Sequence, residues 1–257
     1  MVFRSYKSLT LYNINMKTTR IYLLITIIAV MLSSCGVWEH HIIPSKDVST
    51  LEYSISDYSG IDASHAFRVY VTFSDSEESI EIEANDNLHE YIEVKKENNT
   101  LVIGIRRGIS ISRSPKLNAF IKTRNLSYFA GSGATKFQLA NTVVAPGTSI
   151  YLSGSSSFTG DVETNEIVAK LSGSSSMNIS GSSEKIDAEL SGASSIRDYN
   201  MNTNILKVEL SGASSAFLTV DQQIDVRASG ASKLQYKGSA SIIHQDLSGS
   251  SSVKKVY

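Results

Sequence analysis

One feature constrains this chain more than any other: a Ser-Gly corner that returns seven times, at a near-constant interval, between Ser132 and Ser251. The copies read S-G-A-T at 132, S-G-S-S at 153, 172 and 248, and S-G-A-S at 191, 211 and 229. Their glycines are Gly133, Gly154, Gly173, Gly192, Gly212, Gly230 and Gly249, so successive steps are 21, 19, 19, 20, 18 and 19 residues. A unit this short cannot bury its own apolar side and must stack on its neighbours, which is the condition for a solenoid.

Alignment on the glycines assigns a side to each residue. Two positions before the glycine stand Gly131, Leu152, Leu171, Leu190, Leu210, Ala228 and Leu247, and four after it stand Phe137, Phe158, Met177, Ile196, Ala216, Leu234 and Val253. Six before, the last five copies carry Ile167, Ile186, Leu206, Ile224 and Ile243. These even offsets put the apolar residues on one side of an extended chain, so Leu190 is expected inward and Glu189 outward. The hydroxyl residues two after the glycine share the inward parity, and stacked hydroxyls are expected to hydrogen-bond along a ladder.

The odd offsets are mostly polar. Lys170, Glu189, Glu209, Arg227 and Asp246 lie three before the glycine, and Val168, Asp187, Lys207, Asp225 and His244 lie five before it. Opposite signs mostly fall beside or diagonal to one another, the arrangement that parallel strands about 4.8 Å apart tolerate. Pairing between coils is therefore the reading preferred for these carboxylates over catalysis.

The first 34 residues read as a targeting segment. Residues 1–15 form an upstream extension; Lys17 and Arg20 then precede the apolar run Ile21–Leu32, too short to span a bilayer as a helix. The run ends in Leu32-Ser33-Ser34-Cys35-Gly36, which resembles the lipobox of bacterial lipoproteins, and that resemblance implies that Cys35 is the lipidated first residue of the mature protein. Cys35 is also the sole cysteine, so no intramolecular disulfide forms and an exported chain must depend on its core. The leader takes four of the 24 basic residues, leaving 20 against 25 acidic ones, a balance that disfavours nucleic acid.

Residues 35–50 show no period and read as a tether. Within them Glu39, His40 and His41 lack the spaced ligands of a metal centre. Residues 51–257 form one domain, divided into an N-terminal β region at 51–129 and the Ser-Gly solenoid at 130–257. The former alternates at Phe67, Val69, Val71 and Phe73, at Leu101, Ile103 and Ile105, and at Leu117, Ala119 and Ile121, with turns at Ser74-Asp75-Ser76 and Asn98-Asn99 and a helical turn near Asn87–Ile92. It is expected to begin or cap the stack. Arg106 and Arg107 read as a solvated loop.

Catalytic patterns fail on inspection. No glycine pair frames a serine as G-x-S-x-G. Gly131-Ser132-Gly133-Ala134-Thr135-Lys136 lacks the Gly-Lys step of a phosphate loop, and His40, His41, His65, His89 and His244 are scattered. No catalytic residue, cofactor or metal ligand is assigned.

The repeated L-S-G-[AS]-S, the entry Phe67-Arg68-Val69-Tyr70-Val71, the segment Leu101-Val102-Ile103-Gly104 and the close from Tyr236-Lys237-Gly238 to Lys254-Lys255 together resemble the head GIN domain family of auto-transporter adhesins over about residues 59–257. Serine stands in several copies where the family pattern favours alanine after the glycine. The resemblance implies a β-solenoid at the envelope or cell surface and supplies no catalytic residues. The expectation is an all-β protein, a right-handed parallel β-solenoid with about 19 residues per coil. It would be held in the outer membrane by a lipid on Cys35, facing the periplasm or the surface, and would bind a glycan or protein ligand without cleaving it. A carbohydrate-active β-helix enzyme and a purely structural envelope component are the alternatives; oligomeric state is open.

Overall fold

The computed structural model describes residues 40–257, so Cys35 and the leader lie outside the described residues. The N-terminal region runs β1 (His40–Ile42), β2 (Val48–Glu52), β3 (Gly60–Ala63), β4 (Arg68–Phe73) and β5 (Ser79–Asn85), a 3-10 turn at Asp86–Tyr91, then β6 (Ile92–Glu97), β7 (Thr100–Ile105), β8 (Ile109–Ile111) and β9 (Leu117–Thr123). The repeats supply β10 (Tyr128–Gly131), β11 (Lys136–Leu139), β12 (Val143–Leu152), β13 (Ser157–Leu171), β14 (Ser176–Leu190), β15 (Ser195–Leu210), β16 (Ser215–Ala228), β17 (Lys233–Lys237), β18 (Ser241–Leu247) and β19 (Ser252–Lys255).

Each coil pairs in parallel with the next. Between β13 and β14 the register runs from Ser157↔Ser176 to Leu171↔Leu190, a displacement of one 19-residue coil. The parity expected from the sequence holds through these coils: Leu152, Leu171, Leu190 and Leu210 are each 2% exposed, whereas Glu189 faces solvent. Early coils fill the interior with Phe129, Phe137 and Phe158, whose ring centroids lie 5.1–6.2 Å apart, and later coils place Met177, Ile196 and Ala216 in the same column. The burial of these side chains is the main term opposing the entropy of ordering so long a stack.

The corners form a backbone ladder. Every corner glycine has φ near +70°, and the carbonyl of one accepts the N–H of the residue after the next, at 2.7 Å for Ser174 on Gly154, Ala193 on Gly173 and Ala213 on Gly192. The hydroxyls two residues on bond along the stack, as expected from the sequence, but through backbone carbonyls rather than to one another. Ser156, Ser175, Ser194 and Ser232 each donate to the carbonyl three residues earlier, at 2.6–2.9 Å, and Ser194, Ser214 and Ser232 reach a carbonyl of the preceding coil at 3.3–3.4 Å, so the hydroxyls close their corners and tie them to their neighbours.

The N-terminal region continues the stack and then covers its end. β3 and β4 lie in parallel register on β10 and β11, with Ala63 opposite Gly131 and Arg68 opposite Lys136. Ser64-His65-Ala66 thereby makes an eighth corner: His65 has φ 69°, and its carbonyl accepts the N–H of Ala134. β7 and β9 add the next parallel layer. The chain then reverses, β6 pairing antiparallel with β7, β5 with β9 and β2 with β5. The short, polar, exposed β2 (VSTLE) blunts the edge that a parallel stack would otherwise present.

Two local expectations change. The stretch read as a tether carries β1 and the start of β2, and Asn87 ties it down by accepting the Ser45 N–H and donating to the Ile43 carbonyl, each at 2.8 Å. In the last coil the register slips: Ile242, not Ile243, lies opposite Ile224, and Ile243 is 62% exposed. A one-residue slip turns a side chain to the other face, and with no further coil stacked on β18 little fixes its parity.

Candidate binding faces

The coils present three long outer surfaces, each built by one set of offsets from the corner. Ahead of the corner, Lys170, Glu189, Glu209, Arg227 and Asp246 line a groove of about 450 Å³ that crosses the coils. It neutralises itself, because Lys170 bonds Glu189 at 3.0 Å and Arg227 bonds Glu209 at 2.9 Å. The neighbouring pairs Lys185–Glu166 at 2.7 Å and Lys207–Asp187 at 3.4 Å follow the same rule. The pairing between coils read from the sequence is thus present, and exposed pairs of this kind contribute roughly 0–1 kcal/mol each.

At the second bend of the coil a wider groove of about 710 Å³ carries Glu163, Glu184 and Asp221 among Thr and Asn side chains. All three carboxylates are exposed, and Glu184 accepts the Asn204 amide at 2.8 Å. The positions before the glycine do not point to this strip; its signal in the sequence is the polar run in the middle of a repeat, such as Glu163-Thr164-Asn165-Glu166. Among the described residues no group of three His, Cys, Asp or Glu is placed to hold a metal ion.

The third surface, after the corner, differs in chemistry. Its rows run Arg68, Lys136, Ser157, Ser176, Ser195, Ser215 and Lys233, and beside them Phe120, Tyr70, Gln138, Thr159 and Asn178. An aromatic pair stands at either end. Tyr70 stacks on Phe120 at 5.1 Å and 11°, and Tyr199 meets Phe217 edge-on at 6.1 Å with Lys237 5.2 Å from its ring centre. Beyond Phe120, Glu83 is held below the usual carboxylate range by hydrogen bonds from Lys116 first and Asn118 second. Hydroxyl and amide rows with aromatic rings and cations at their ends are suited to hydrogen-bonding an extended polar ligand.

His65 closes the corner ladder. Partial burial lowers its affinity for a proton, which keeps Nδ1 free to accept the Ile105 N–H at 3.3 Å, with the Ser64 hydroxyl 2.8 Å from the same nitrogen. The imidazole occupies the place that the next corner would fill. Arg106 and Arg107 lie beyond it in an exposed turn.

A parallel β-solenoid with an antiparallel cap defines a repeat scaffold of the β-helix class. Residues 57–240 match the family described as putative auto-transporter adhesin, head GIN domain, and the chain belongs to that family. Among solved structures it is similar to a putative adhesin from Bacteroides fragilis, with TM-score 0.78 and 22% identity over 84% of this chain and 100% of that one. A putative adhesin from Parabacteroides merdae gives TM-score 0.69 and 19% identity over 84% and 99%. A protein from Parabacteroides distasonis described as a putative lipid binding protein gives 0.70 and 17% over 85% and 100%. At these identities the likeness shows the shared fold. No curated protein matches the chain. Family membership points to the cell surface or envelope.

Proposed function

We propose that this protein is a non-enzymatic adhesion module that binds a glycan or protein ligand along the outer faces of its coils. The observation that supports this reading is the in-register stack itself. Where the register is regular, as between β13 and β14, it sets hydroxyl, amide and charged groups of successive coils side by side, which suits many weak contacts with an extended ligand. Catalysis needs a few groups converging on one bond, and the carboxylates of the wide groove are instead spread over separate coils. The test is incubation of the purified protein with a panel of polysaccharides and peptides, measuring retention together with new reducing ends, unsaturated products and free amines. Binding without turnover is the expected result. Turnover abolished by Glu163→Gln, Glu184→Gln or Asp221→Asn would establish the carbohydrate-active reading in its place.

The anchor belongs to the same proposal. The lipobox-like Leu32-Ser33-Ser34-Cys35 after a basic and then apolar leader supports an outer-membrane lipoprotein acylated at Cys35. One acyl chain binds a bilayer only marginally, so firm attachment requires the multiply acylated cysteine. Cys35→Ser is expected to abolish labelling by a palmitate analogue and to release the protein from the membrane fraction; a labelled, membrane-bound variant would refute the anchor.

A further inference from the structure

Cations on the faces of the middle coils follow one habit. On the coils Lys170, Lys185, Lys207 and Arg227 each meet a carboxylate of the adjacent coil within 3.4 Å. Arg68 and Lys136 break that habit. They lie directly opposite each other in the β4–β11 register, like charge against like, and neither has an acidic partner within ion-pair distance among the described residues. Such a pairing is destabilising unless an anion sits between the two charges.

The same two residues line a recess of about 520 Å³ together with Arg113 and Lys116. Arg113 has no ion pair among the described residues either, and it is held at φ 65°, a left-handed conformation that a non-glycine residue adopts at a cost. Lys116 has Glu83 at 2.8 Å and is the one compensated member. In a chain whose acidic residues outnumber the basic ones after its leader, three uncompensated cations lining one recess form a local anion trap.

A second recess of about 350 Å³ adjoins it, sharing Arg68 and Lys136 and adding Tyr70, Gln138 and Thr159. Tyr70 stands between Phe120, on which it stacks, and Gln138 of the adjacent strand. A rigid aromatic side, an amide and a hydroxyl suit the ring and hydroxyls of a sugar, while guanidinium and ammonium groups suit its carboxylate or sulfate. We infer that the face around Arg68 and Lys136 is a binding site for an acidic polysaccharide, with the sugar ring against Tyr70 and the anionic substituent between Arg68, Lys136 and Arg113.

This inference rests on the adhesion reading and names the class of ligand. The full-length protein in detergent is titrated with polygalacturonate and heparin as anionic glycans, dextran as a neutral one, and polyglutamate and an oligothymidylate as polyanions without the same sugar chain. Preference for one or both anionic glycans over all three others is expected, and polygalacturonate against heparin separates carboxylate from sulfate. Arg68→Gln with Lys136→Gln should weaken that binding about tenfold or more, as loss of charge-assisted hydrogen bonds implies, while Lys170→Gln on the opposite side of the corner changes it less than about twofold. Both altered residues are exposed, and an unchanged melting temperature confirms that the fold persists. Equal binding of dextran would overturn the acidic-ligand inference and leave the adhesion reading standing. Equal binding of polyglutamate or oligothymidylate would replace the glycan by another polyanion, and no binding to any probe would overturn the site.

Discussion

Gly173→Val is expected to destabilise the protein by on the order of 4 kcal/mol, a large fraction of a typical folding free energy of about 5–15 kcal/mol. Gly173 has φ +71°, and a Cβ built there stands 2.6 Å from the Gly154 carbonyl oxygen of the preceding coil. That oxygen is the acceptor of the Ser174 N–H, so the side chain removes a ladder bond as well as straining the backbone, and a β-branched residue is among the least tolerant of a left-handed conformation. A solenoid is stabilised by nearest-neighbour interfaces, which makes a fault in its middle worse than one at its end. His65→Gly supplies the comparison: it changes the same corner position at the capped end, where a side chain is already accommodated, and should cost less than about 1 kcal/mol, because relief of the left-handed backbone offsets part of the lost Nδ1 bond. Chemical unfolding of the two variants checks the order. A Gly173→Val cost no greater than that of His65→Gly would remove the backbone ladder from the account of stability.

The ladder also explains what the sequence could and could not reveal. Period and parity were legible because each coil obeys the same two constraints, a glycine where a Cβ would strike the coil below and, at the even offsets, apolar residues with one small hydroxyl residue at the corner. The eighth corner was hidden by its own chemistry. At the end of the ladder the constraint on Cβ relaxes, glycine gives way to His65, and the covering strands lengthen the step from it to Gly133 to 68 residues. Ala63, Phe67 and Val69 kept the parity and were the available signal. Ser180-Gly181-Ser182-Ser183 shows the converse, since it has the letters of a corner but lies within β14, with Gly181 at φ +112° and its Cβ position filled by the Val162 backbone.

The binding faces were less legible than the fold for a physical reason. Arg68 sits in the alternating entry Phe67–Val71, and Lys136 drew attention only as a failed phosphate-loop lysine. What makes them a pair is the register of β4 on β11, and their neighbour Arg113 comes from a turn whose course no periodicity encodes. Charge pairs one repeat apart, such as Lys170 and Glu189, could be read directly, because the spacing of the repeat is also the spacing of the contact.

Leu190→Asp is expected to cost on the order of 3 kcal/mol or more, against less than about 1 for Glu189→Lys. The two positions are adjacent in sequence and opposite in environment. Leu190 is 2% exposed in a column between Leu171 and Leu210, so an aspartate there either loses its hydration unpaired or is kept protonated at the expense of folding. Glu189 has a side chain 54% exposed, bonded to Lys170 on one side and opposite Glu209 on the other. Lysine at 189 would forfeit the first contact and gain the second, two exposed terms that nearly offset. Since a domain of this size shifts by about 2–4 °C per kcal/mol, Leu190→Asp should lower the melting temperature by about 6 °C or more and Glu189→Lys by less than about 4 °C. Comparable shifts would mean that neither residue keeps to one side of the coil, and the charge pairing on the outer faces would lose its basis with the core.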